Sequence, residues 1–153
     1  MVYPGCSSCR AVLNKSAGDP CLREELAGTG RVADGLASIN AVLARASRNE
    51  ELWYFAELLR IKGMLVLDEG LPAAAAVAEE HFLQALDVAR QQGALYWELR
   101  CTTSLASLWH NQSRKQEARA LLSTVYDRFT EGFETADLRS AKAVLDLLRS
   151  RAD

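Results

Sequence analysis

Histidine occurs only twice, at His81 and His110, and no Gly-Lys pair exists anywhere in the chain. Without that pair there is no loop of the type that cradles nucleotide phosphates. No apolar run approaches the roughly 20 residues needed to span a bilayer. Three prolines in 153 residues and no β-branched run leave little to interrupt helices. Charge of one sign is also missing. The balance of 18 basic and 20 acidic side chains gives −2, which excludes the domain-wide basic field of a nucleic-acid binder. The first residues carry neither a basic stretch followed by an apolar one nor a small-residue cleavage site, so they do not read as an export signal. The expected compartment is the cytoplasm, with the four cysteines as free thiols.

What is present is alanine, the strongest intrinsic helix former, in a chain that is 49% hydrophobic. Its length suits one domain. Residues 1–29 hold two of the three prolines and three of the four cysteines, with little periodicity. They read as an irregular segment ahead of a helical domain at 30–153. From Gly30 onward apolar residues recur at steps of three and four. Val32, Leu36, Ile39, Leu43 and Ala46 mark a first helix, and Ala56, Leu59, Gly63 and Val66, after Leu52, mark a second. Ala74, Ala78, Phe82, Ala85 and Ala89 mark a third. Leu95, Glu98, Thr102, Leu105 and Trp109 mark a fourth, Ala118, Leu121, Leu122 and Val125 a fifth, and Leu138, Ala141, Leu145 and Leu148 a sixth. Gly70 and Gly93 are expected to end the second and third helices, with Pro72 in the first turn of the third. Ser47-x-x-Glu50 and Ser113-x-x-Gln116 are expected capping boxes, and Thr135 an expected cap.

The stripes repeat. Gly63 and Ala106 each precede a large apolar residue by three, at an offset of 43, while Ala78/Phe82/Ala85 and Ala118/Leu122/Val125 correspond at an offset of 40. Gly35/Ile39/Val42 fits the same pattern in the first helix. Repeated helix pairs with small residues at their crossings predict an all-α fold, an antiparallel helix-pair α-solenoid of the tetratricopeptide (TPR) kind with about three elongated repeats.

Four stretches, LWYFAELLRIKG at 52–63, EHFLQALDVAR at 80–90, WELRCTTSLASLW at 97–109 and FTEGFETADL at 129–138, carry a resemblance. They resemble the C-terminal tetratricopeptide-like region of large bacterial signalling ATPases, many of which begin with a nucleotidyl cyclase domain. The resemblance covers about 30–148 and implies a signalling-related interaction module without the catalytic domains found upstream in those proteins.

Cys6-x-x-Cys9 with Cys21 has metal-like spacing, but a structural zinc site needs a fourth ligand, and only Cys101 or Asp19 offers one. Loop thiols are the preferred reading, so no metal or other cofactor is expected. His81 reads as a helix-surface residue and His110 as a cation near a helix C-terminus. Trp53, Trp97 and Trp109 read as packing, with a partner-binding anchor as the alternative.

The expected function is therefore non-catalytic: a scaffold that holds a protein or peptide segment on the concave face, with no nucleic acid or membrane partner. In solenoids of this kind the first helix of each pair lines that face. This places Glu57, Arg60, Ile61, Met64, Arg100, Thr103, Ser104, Ser107, His110 and Asn111 there. A small-molecule sensor and a purely structural self-association module are the alternatives. The helix at Arg31 lacks a preceding partner helix, so its apolar side is expected to be covered either by residues 1–29 folding back or by a second copy; the second copy is preferred, giving a homodimer.

Overall fold

The computed structural model describes residues 31–49 and 54–150. Among them there are six helices and no strand: α1 (Arg31–Asn49), α2 (Phe55–Asp68), α3 (Ala74–Gln91), α4 (Leu95–Asn111), α5 (Lys115–Tyr126) and α6 (Ala136–Arg149). The expected all-α class and the six stripes are therefore present. The expectations that rest on Cys6, Cys9, Asp19, Cys21, Glu50, Leu52 and Trp53 lie outside the described residues.

Each helix packs on the next in the chain, because every stripe needs an apolar surface against which to leave water. Two further contacts join alternate helices, α2 with α4 and α4 with α6, whereas α1, α3 and α5 do not touch one another. Central α4 is consequently flanked on four sides and is buried along most of its circumference. Phe82, Leu99, Leu105, Leu122 and Leu138 are fully buried at the junctions.

The small residues act where the repeat pattern put them. A Cβ on Gly63 would stand 2.6 Å from the edge of the Phe82 ring and 3.2 Å from the Ala78 carbonyl oxygen. The α2–α3 crossing is set by that absence of a side chain. Ala106 and Ala118 are likewise completely buried.

The termini differ from the expected caps. Ser47 lies inside α1, which continues to Asn49, so it does not open α2. Ser113 has φ 64° and makes no capping bond; Arg114 occupies the N-cap of α5. Ser113 instead closes α4. Its N–H donates to the His110 carbonyl, and the Arg114 N–H reaches back to Trp109. The same pair of bonds follows Gly93 (φ 63°), where Gly93 donates to Arg90 and Ala94 to Ala89. Both turns are left-handed helix ends, one built on glycine and one on a residue that dislikes the conformation. Pro72 precedes α3 by two residues rather than entering its first turn. Thr135 does occupy the N-cap of α6, but its hydroxyl makes no capping bond.

The apolar side of α1 meets α2. Val32 and Ile39 of α1 are buried in a cluster with Leu58 and Leu65 of α2, with Leu36 and Leu43 packed against it.

Two expectations follow. Gly63→Ala should lower stability by about 1–3 kcal/mol through overpacking on Phe82, with Gly63→Leu and Ala118→Leu worse. Thermal melts check this, and a melt unchanged for Gly63→Leu would contradict the crossing. Ser113→Gly should raise stability by about 1 kcal/mol by relieving the left-handed residue. A capping serine would respond in the opposite direction.

Candidate partner-binding face

The layer formed by α2, α4 and α6 is organised around Glu57. This carboxylate has no exposure, one turn into α2, yet it is surrounded by partners rather than stranded. Arg60, one turn further on, grips it with one edge of its guanidinium: Nε to Oε2 and Nη2 to Oε1, each 2.8 Å. Arg100 of α4 reaches Oε1 from the neighbouring helix at 3.0 Å. A buried carboxylate is tolerable only when its lone pairs are filled by charged donors in this way.

The network extends outward from there. Arg60 Nη1 donates to Ser104 Oγ of α4 at 3.2 Å and lies 2.7 Å from Met64 Sδ. Arg100 Nε stands 3.5 Å from Asp137 Oδ1, in the first turn of α6, and the guanidinium lies 5.5 Å from the centroid of the Trp97 ring. Burial disfavours the Arg60 charge, but the hydrogen bonds and attraction of Glu57 outweigh it and hold its pKa above the ordinary value. One chain of charges thus crosses three helices.

Along α4 the hydroxyls turn inward to their own backbone. Thr103 Oγ1 donates to the Leu99 carbonyl at 2.7 Å and Ser107 Oγ to the Thr103 carbonyl at 2.9 Å.

Of the ten residues assigned to this face, the structure joins Glu57, Arg60, Met64, Arg100 and Ser104 in one network, with Thr103 and Ser107 beside it on the same helix. Glu57 and Arg60 are buried, and so are not offered to solvent as the sequence pattern suggested; the charge partners supplied by α4 account for this. Ile61 turns to the other side and packs against the α1–α2 cluster. Half-buried His110, whose Nδ1 is buried without a hydrogen-bond partner, and exposed Asn111 sit at the far end of α4. Asp137 and Trp97 complete the network but were assigned to a helix start and to packing. A readable signal did exist. Glu57 and Arg100 are 43 residues apart, the offset between the Gly63 and Ala106 stripes, and the two opposite charges meet between α2 and α4.

Neither family models, curated proteins nor solved structures give a match to this chain. The geometry therefore carries the functional reading.

Two further carboxylates brace the opposite side. Buried Glu98 receives Arg90 of α3 at 3.2 Å and Arg128, beyond α5, at 2.6 Å. Glu79 of α3 accepts 2.8 Å hydrogen bonds from Trp109 Nε1 and Arg114, whose guanidinium also covers the Trp109 ring at 4.3 Å. Trp109 is therefore packed, as expected. Burial raises the Glu79 pKa, but the bonds from Arg114 and Trp109 prevail and leave it lowered. Among the described residues no three His, Cys, Asp or Glu side chains gather as metal ligands. Cys101 is completely buried, and burial pushes its thiol up to about 12. No helix among the described residues is long and apolar enough to cross a membrane.

Removing the central carboxylate should be costly. Glu57→Ala leaves two guanidiniums facing an empty site and should destabilise by about 3–5 kcal/mol. Asp137→Asn, at the rim, should cost no more than about 1 kcal/mol. Chemical denaturation of both variants checks the contrast. Glu79 supplies a pH test. Its folded pKa is depressed, so its contribution is complete above the ordinary carboxylate value of 4.5 and is lost as pH falls through the lower folded value. The gap in melting temperature between the native chain and Glu79→Gln should therefore be open at neutral pH and narrow progressively as the pH falls below 4.5.

Proposed function

We propose that the chain is a non-catalytic interaction module, a TPR-like α-solenoid of about three helix pairs that holds a protein segment on the face formed by α2, α4 and α6. The observation that carries this reading is the contact order. Alternate helices touch on the α2–α4–α6 side and stand apart on the α1–α3–α5 side. Stacked helix pairs joined more closely on one layer than on the other bend toward the closer layer, and such curvature makes an extended concave binding surface. The buried Glu57 network supports the same reading, because it fixes polar side chains on that layer before any partner arrives, which lowers the ordering cost of association. Half-buried Thr103, Ser104 and Ser107 give α4 small polar side chains on this layer. The sequence resemblance to the C-terminal repeats of signalling ATPases points to a signalling role. A shallow open cavity of about 570 Å³ lies between α5 and α6, lined by Lys115 and Arg119, away from this face.

Photo-crosslinking in cells that express the chain tests the reading. A benzophenone amino acid at Ser107 should capture a partner protein, and the same group at exposed Leu83 of α3 should not. Capture from Leu83 with Ser107 silent would place binding on the other layer and contradict the proposal.

A further inference from the structure

The cavity between α5 and α6 shares no side chain with the α2–α4–α6 network, and its lining has a chemistry of its own. We propose that it binds a small phosphate monoester, whose dianion is held by Lys115, Arg119 and Arg149 while its organic part rests on Ala120 and Leu148.

The lining sorts by helix. Lys115 and Arg119 are four residues apart on α5 and so share one face, with Ala120 and Ser123 beside them. Leu148, Arg149 and Ser150 come from the end of α6. The stripe that α5 gives to the core, Ala118, Leu122 and Val125, lies on another side of the helix, so the fold does not use this face. Three cations therefore meet at one hollow, and no described carboxylate lines it. The nearby acids are engaged elsewhere. Glu117 is bound by Arg114 at 2.7 Å. Asp146 approaches Arg149 only at 3.6 Å, with the side chains 55% and 58% exposed, a contact weak enough for a ligand to compete with. Among the described residues Lys115 and Arg119 form no ion pair.

The charge at the hollow selects the anion. A carboxylate brings one negative charge, whereas a phosphate monoester brings about two near neutral pH, with three strong acceptor oxygens. Two of the three cations are arginines, whose planar fork takes phosphate oxygens two at a time, and Lys115 adds a point charge. The Ser123 and Ser150 hydroxyls donate to the Ala120 and Leu147 carbonyls, so toward a ligand they accept and leave the phosphate to the cations. The volume of about 570 Å³ lies within the roughly 300–1,000 Å³ of small-molecule sites, which favours a free ester over a phosphorylated protein segment.

The test is a titration of the full, nitrogen-15-labelled chain, followed by amide NMR, with phenyl phosphate, phenyl sulfate and a phosphoserine peptide. Phenyl phosphate should shift the amides of 115–123 and 148–150. It should bind about fivefold or more tighter than phenyl sulfate, which has the same shape and a single charge. Arg119→Gln and Arg149→Gln should each weaken it about fivefold or more, and Lys62→Gln on α2 should change nothing. Arg119 and Arg149 are exposed, so both variants should melt with the native chain when no ligand is present, and the loss is then a loss of binding. Equal affinity for the sulfate, shifts that avoid both helices, or a Lys62→Gln loss as large as that of Arg119→Gln would each overturn the proposal. Tighter binding of the phosphoserine peptide would also overturn it and assign the hollow to a protein partner. The crosslinking result at Ser107 does not bear on this site, because the two share no residue.

Discussion

A carboxylate with no exposure has to be held by charge, and the way Glu57 is held shapes much of the molecule. Desolvating an isolated ion of that size costs several kcal/mol even after relaxation. Arg60 returns part of this within its own helix, where a spacing of three residues brings the two groups onto one face. The remainder comes from Arg100, which belongs to another helix. That makes the α2–α4 contact a condition for burying the charge. Geometry here substitutes for bulk: the two helices are joined by polar bonds of fixed direction as well as by apolar packing.

Such a joint needs the rest of the packing to hold its register. The Gly63–Phe82 contact sets how closely α3 lies on α2, and Ala106 and Ala118 play the corresponding role around α4. Glu98 and Glu79 then tie α4 to its other neighbours through Arg90, Arg128 and Arg114. Polar bonds of this kind add direction and uniqueness to a core whose apolar stripes alone would tolerate sliding.

Most of the fold was legible in the sequence because burial follows periodicity. Ala78, Phe82, Ala85, Leu138, Ala141 and Leu145 are all interior, as their spacing requires. Helix ends were less legible. A serine followed three residues later by Glu or Gln looks the same whether it opens a helix or, like Ser113, closes the previous one in a left-handed turn. Only the backbone distinguishes these cases. Helix periodicity placed Glu57, Arg60 and Arg100 on one side, but it carries no information on whether a charge faces water or a partner from another helix. Ile61 failed for a related reason: its angular position is shared between the inner layer and the α1 contact, and the apolar cluster with Val32 and Ile39 won. Asp137 was missed because its helix-start position already explained it.

The dependence of the inner layer on the Glu57–Arg100 pair is open to a double-mutant cycle in chemical denaturation. Glu57→Gln, Arg100→Gln and the double variant isolate the energy shared across the two helices. The structure requires a coupling of about 1 kcal/mol or more, with the double variant losing clearly less than the sum of the single ones. Simple additivity of the two losses would mean that the carboxylate is held without α4, and would contradict the account.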